Sequence, residues 1–340
     1  MNAVDCHTHW FPTDYYDFLA SRSIEPRAKA EDDGSYHYIN GNRSCHPWPE
    51  WFDLAMQFET VAKTGIDMAM VTSLGIHADL DGLPVPEARH AARMINEAWA
   101  AAQLRHPGRF FAAAAVPLGD TTAAIDELDY AITKLDLRGV SMPSSIAGEP
   151  IDAPRLEPFY ARVEELGVPL FIHPNDGVLV DAMAGHDNAL YMSLGRVVDS
   201  SLAVLRLVLN GTLDRYPGLK ILHFHAGGVL PYAAGRLDKN ARLSTLEHEP
   251  TAYLKRMWVD TAMPHSLTIE MALKFYGGDR VLYGSDNPCW NQQAALKALE
   301  ALELSDAATA DILNGNACQL LDLRAPGPID GAAVGTAASS

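Results

Sequence analysis

Eight short runs of β-type residues alternate with longer stretches of helical period along this 340-residue chain, and few folds accommodate that order. The runs are residues 3–8, 68–73, 110–117, 139–142, 169–173, 219–225, 257–261 and 280–285. Most are continuously apolar rather than alternating, as strands buried on both faces of a parallel sheet are. Helical period fills residues 50–64, 86–105, 121–135, 154–166, 197–215, 266–276 and 291–302. Several of these end at a glycine or just before a proline, and Asp120 stands where an N-cap belongs. The pattern predicts an α/β fold of the (β/α)₈ TIM-barrel type, although length alone would suggest two domains at about 150 residues each. A single barrel domain over residues 1–324 is therefore expected. Residues 11–49 form a long rim insertion after the first strand. Residues 325–340, made of small residues and proline, are expected to be a disordered tail.

Charge removes several classes of partner. Asp plus Glu number 43 against 26 Lys plus Arg, a net charge of −17, so neither nucleic acid nor an anionic membrane finds a basic footprint. The longest apolar run, residues 110–118, is interrupted by Pro117 and falls far short of the roughly 20 residues that cross a bilayer. The start of the chain lacks a basic segment and an apolar core, and Cys6, Cys45, Cys289 and Cys318 include no CxxC pair. A reduced, cytoplasmic enzyme is the expectation.

The histidines concentrate at strand ends. The first strand ends Asp5-Cys6-His7-Thr8-His9, where residues two apart share a face and can present two imidazoles together. The fifth ends at His173 before Pro174. The sixth ends His223-Phe224-His225-Ala226-Gly227-Gly228, two histidines on one face followed by glycines that permit close backbone approach. The eighth ends Tyr283-Gly284-Ser285-Asp286-Asn287-Pro288. An isolated HxH is a short and common pattern. Four strand ends meeting at one rim, each with a histidine or an aspartate, amount to a ligand set for a divalent transition metal.

The succession of HxH, a lone histidine, HAGG and GSDNP resembles the amidohydrolase superfamily, and within it the group that includes aminocarboxymuconate-semialdehyde decarboxylase. Thr64-Gly65-Ile66-Asp67, Tyr216-Pro217-Gly218-Leu219-Lys220, Leu230-Pro231-Tyr232 and Gly235-Arg236 extend the likeness over nearly the whole chain. The resemblance implies one divalent metal, Zn²⁺ or alternatively Mn²⁺, held by His7, His9, His173 and Asp286, with no organic cofactor. It makes His225 the catalytic imidazole beside a metal-bound water and leaves Asp286 open as ligand, proton shuttle or both. His223 receives no family role and reads as structural. The fourth run carries no lysine that could bridge two metals, in keeping with a mononuclear site.

A carboxylate substrate needs a local cation on so acidic a protein. Arg236 matches a family arginine that reaches into the neighbouring subunit's site, which implies a homodimer. Arg43 reads either as a second carboxylate-binding arginine or as a solvated loop side chain. Trp48, Trp290 and Tyr191 either wall an aromatic pocket or pack the rim. The leading expectation is nonoxidative decarboxylation of a small aromatic or unsaturated carboxylic acid. Hydrolysis of a lactone, amide or ester, or hydration of a double bond, is the alternative on the same site. A barrel that uses its metal only as a staple is a third reading, disfavoured because a structural zinc in a reduced compartment is more often closed by cysteines.

Overall fold

A computed structural model describes residues 2–41, 43–75, 79–175, 183, 185–241 and 245–323. The apolar runs form the strands β1 (Asn2–Thr8), β2 (Asp67–Thr72), β3 (Phe110–Ala112), β4 (Val140–Pro143), β5 (Leu170–His173), β6 (Ile221–His223), β7 (Trp258–Asp260) and β8 (Val281–Leu282). β1, β2 and β3 pair in parallel in one sheet, and β4 to β8 pair in parallel, in chain order, in another. Single parallel bridges, Ala114 to Val140 and Thr8 to Asn287, connect the two sheets at either end. The chain is thus an α/β protein built on parallel sheets.

Both strand faces are buried, which explains the unbroken apolar runs. Val4, Val71, Phe171, Leu222 and Leu282 pack on one side with Leu320 and Leu321 of the last helix. Ala3, Met70, Ile172, Ile221 and Val259 pack on the other, against the helical layer. Asp120 caps the helix Thr121–Thr133 as expected, its Oδ1 accepting from Ala123 N at 2.7 Å.

Several predicted elements come out shorter, and for two of them the local cause is plain. The run at residues 110–117 is a strand only to Ala112, because the Asn96 side chain takes both Ala115 N and Ala115 O at 2.8 Å in place of a neighbouring strand. The helix expected over residues 197–215 divides into Arg196–Leu209 and Thr212–Arg215 at Gly211, whose φ is +72°. Residues 11–49 contain more order than their mixed polarity suggests. After the helix Thr13–Ala20 comes a three-stranded antiparallel sheet of Arg27–Ala30, Tyr36–Asn40 and Arg43–Cys45. The tail at residues 325–340 lies outside the described residues.

Asp79 fastens this sheet to the rest by accepting from the Tyr38 hydroxyl and from Asn40 Nδ2. Asp81 nearby accepts Gly119 N at 3.1 Å, and burial, reinforced by Asp79, pushes its carboxyl up to about 7. The unfolded chain releases this proton near the ordinary value of 3.8. The folded state therefore keeps its full contribution at low pH and loses it as pH rises through about 7. Asp81→Asn is expected to raise stability at pH 8 by about 2 kcal/mol, discounted for partial exposure, and to change it little near pH 4. Urea unfolding at the two pH values checks this; equal shifts at both would contradict it.

Candidate metal centre

The strand ends bring four imidazoles and a carboxylate around one point. His7, at the end of β1, is fully buried; its Nδ1 lies 2.6 Å from Asp260 Oδ2 and its ring stacks on Phe224 at 3.7 Å. His9 follows the strand, with Nδ1 3.1 Å from Ser73 O and its ring parallel to Trp51. His173 closes β5, with Nδ1 2.8 Å from Pro174 O. In each of the three an oxygen acceptor holds the Nδ1 proton, which leaves the lone pair on Nε2. Asp286, beyond β8, places Oδ1 3.1 Å from His9 Nε2 and 3.4 Å from His7 Nε2, and Oδ2 3.5 Å from His225 Nε2. Ligand atoms of His7, His173, His225 and Asp286 all lie within 4.8 Å of one another. His9 joins them through Asp286 and through its ring, whose centroid is 4.8 Å from that of His173.

The backbone bends to make this possible. His225 and Asp286 both adopt left-handed φ, +58° and +61°, and Ala226 follows at +56°. Such strain in non-glycine residues gathers where surrounding structure over-determines it. The turn also corrects the expectation that His223 and His225 share a face. β6 ends at His223, whose Nε2 lies 3.1 Å from Ser200 Oγ, whereas His225 turns to the cavity. Gly227 and Gly228 are required here, since a Cβ on Gly227 would strike Tyr276 Oη and one on Gly228 would strike Ser201 Oγ and Val197 O.

Protonation states suit a cation. Burial drives His7 down and His173 well below the usual imidazole range, and lowers His223 to about 3, so these rings stay neutral. Burial pushes Asp286 up, but His7, His225 and His9 around it outweigh that and hold it well below the carboxylate range. Asp260 is held low in the same way by His7. Imidazole nitrogens and buried carboxylate oxygens that converge on one point form the kind of donor set that holds a divalent cation. His7 Nε2 is buried without a hydrogen bond, the state of an atom shaped to bind an ion. The residues present fit a divalent metal.

Two contributors escaped the sequence reading. Asp260 ends β7; besides His7 Nδ1 it accepts Ala226 N at 2.9 Å, so one carboxylate sets both a ring and the turn that carries His225. Asp5 accepts from Ser285 N at 2.9 Å and from Ser285 Oγ at 2.5 Å, anchoring the loop of Asp286 to β1. Asp260→Asn is expected to weaken metal affinity by about 10–100-fold through loss of His7 orientation. Competition with a chelator reads this out, and unchanged affinity would contradict it.

A cavity of about 640 Å³ opens onto His9, His173, His225 and Asp286, a size suited to a small ligand. Trp48 and Trp290 both line it, each about half exposed, together with Trp51 and Met263. Arg196 also lines it and was not singled out in the sequence, where it sits one residue before the predicted helix; it is buried, with Nη1 donating to Pro174 O at 3.2 Å. Arg236, on the helix Leu230–Asn240, is exposed and does not line the cavity of its own chain. The Arg43 side chain lies outside the described residues. Tyr191 is not among the lining side chains; its hydroxyl donates to Asn175 O at 2.9 Å.

The sequence matches the amidohydrolase family over residues 4–323. The chain belongs to that family. This amidohydrolase is 25% identical over 338 residues to the 2-amino-3-carboxymuconate-6-semialdehyde decarboxylase of Dictyostelium discoideum, covering 94% of this chain and 91% of that protein. It is 32% identical over 266 residues to the gamma-resorcylate decarboxylase of Rhodococcus jostii, covering 70% of this chain and 79% of that one. Its fold matches the crystal structure of 5-carboxyvanillate decarboxylase from Novosphingobium aromaticivorans complexed with manganese and 4-hydroxy-3-methoxy-5-nitrobenzoic acid. The TM-score there is 0.79 at 23% identity, over 94% of this chain and 96% of that one.

Proposed function

We propose that this amidohydrolase is a metal-dependent carboxy-lyase that removes CO₂, without an oxidant, from a small aromatic or unsaturated carboxylic acid. The division of labour among its imidazoles supports this most directly. Metal-bound histidines almost always give their second nitrogen to an acceptor, and His7, His9 and His173 do so to Asp260, Ser73 and Pro174. His225 does not: its Nδ1 is buried with no hydrogen-bond partner among the described residues. The first three, with Asp286, are therefore the ligands, and His225 is the imidazole left to carry a proton. A divalent cation held there, Zn²⁺ or Mn²⁺, supplies positive charge to a substrate oxygen and fixes its orientation.

The protein's own part follows. Trp48 and Trp290 flank an aromatic ring in the cavity, and Arg196 offers a guanidinium to an anionic group. His225 delivers a proton to the ring carbon that bears the carboxylate, forming a C–H bond. The C–C bond to the carboxylate then breaks, its electron pair restores the conjugated system, and CO₂ departs. The proton that His225 gives up is replaced from water in the open cavity, and Asp286 Oδ2, 3.5 Å from His225 Nε2, holds the ring in position. Because the substrate is its own electron sink, no organic cofactor is called for.

Around this centre we place the two sheets in one closed (β/α)₈ barrel over residues 1–324, with residues 11–49 as its rim insertion; the two parallel bridges support that closure. A homodimer would bring the exposed Arg236 of one copy to the cavity of the other. Four free cysteines agree with a reduced, cytoplasmic setting, and no described helix is long and apolar enough to cross a membrane. The test is a panel of hydroxybenzoates and muconate-type acids in H₂¹⁸O. CO₂ released in step with product that carries no ¹⁸O is expected. Product labelled with ¹⁸O and no CO₂ would replace this reading with hydrolysis or hydration.

A further inference from the structure

The small sheet of residues 27–45 has two unlike faces. Tyr36 and Tyr38 are buried on the inner one, so His37 between them points outward. Register then sets its neighbours. Lys29 pairs with His37, which puts Glu31 one step along the same outer face. Tyr38 pairs with Cys45, which puts His46 beside His37. The two rings stack with centroids 4.3 Å apart at 15°. One ligand atom from each of Glu31, His37 and His46 lies within 4.8 Å of the other two. Ser44 Oγ, 2.7 Å from His37 Nε2, orients that ring. Lys29 Nζ sits 2.9 Å from Glu31, but an ion pair this exposed is worth little and yields readily to a stronger cation.

We infer that Glu31, His37 and His46 form a second cation site, distinct from the centre at His7 and selective for borderline divalent transition metals such as Zn²⁺. Two imidazoles and one carboxylate suit that class, whereas Ca²⁺ and Mg²⁺ require mostly oxygen ligands. Three ligands on a partly exposed face leave positions for water, so the site exchanges its ion more readily than the buried centre does. It also has a route to the active site. His46 precedes Trp48 by two residues, and Trp48 lines the catalytic cavity. An ion that ties His46 to Glu31 and His37 pins the segment that forms this wall.

Protein loaded with its catalytic metal and freed of excess is dialysed against micromolar Zn²⁺, and total metal per chain is counted. One more equivalent is expected in the wild type than in the His37→Ala/His46→Ala double variant, whose basal activity without added Zn²⁺ is unchanged. Zn²⁺ also slows amide exchange over residues 44–51 in the wild type and not in the variant. Glu31→Gln, exposed enough to leave the fold intact, weakens uptake of the second ion. Equal metal counts in wild type and double variant would overturn the site, whichever acid the enzyme decarboxylates.

Discussion

His225→Asn is expected to leave the metal content of the purified protein unchanged while lowering kcat for CO₂ release by about 10²–10⁴-fold. Asparagine is smaller than histidine but keeps a polar tip, and it exchanges no proton near neutral pH. The other three imidazoles retain their acceptors on Asp260, Ser73 and Pro174, so the ligand set loses nothing that orients it. The left-handed turn at His225, φ +58°, favours asparagine over most residues, which makes a folding defect a poor explanation of lost turnover. Metal analysis and steady-state kinetics on one preparation decide the matter. If metal and activity disappear together, His225 is a ligand, and the assignment of His9 in its place must be withdrawn.

His7→Ala should do the opposite to metal content. It deletes the one buried nitrogen of β1 that faces Asp286 without a hydrogen bond, and it strips Asp260 of the partner 2.6 Å away. The expected result is loss of bound metal and of all CO₂ release. Stability should also fall by about 3 kcal/mol, because a carboxylate buried inside the fold is left without its imidazole. Wild-type protein stripped by a chelator is the necessary comparison: it should regain activity with Mn²⁺ or Zn²⁺, and the variant should not. Urea unfolding of the variant beside stripped wild type separates the cost at Asp260 from the loss of the ion. Full metal content in His7→Ala would remove β1 from the centre.

Much of this was legible because side-chain chemistry at strand ends is written locally. His7 and His9 stand two apart at the end of one strand, His173 closes another and Asp286 follows a third, so the strand ends put all four at one rim, while the family resemblance supplied their reading as ligands. Contacts that join distant segments left no such mark. Asp260 also ends a strand, but it is a lone aspartate 253 residues from His7 with no histidine beside it to single it out. Arg196 becomes a cavity residue only once its helix is docked. The sheet of residues 27–45 was missed for a different reason: its strands are short, and only Tyr36 and Tyr38 of the middle one show a clear period of two. Element ends moved where a side chain, such as Asn96, replaced a backbone partner, or where a left-handed glycine, such as Gly211, broke a helix.

The most direct measurement is anomalous diffraction at the metal absorption edge from crystals of the purified protein. It should place one strong peak within bonding distance of Nε2 of His7, His9 and His173 and of the Asp286 carboxylate, with His225 beside it and not bound. A peak that excludes His7 or His173, or a cation bound elsewhere with these side chains engaged among themselves, would contradict the account.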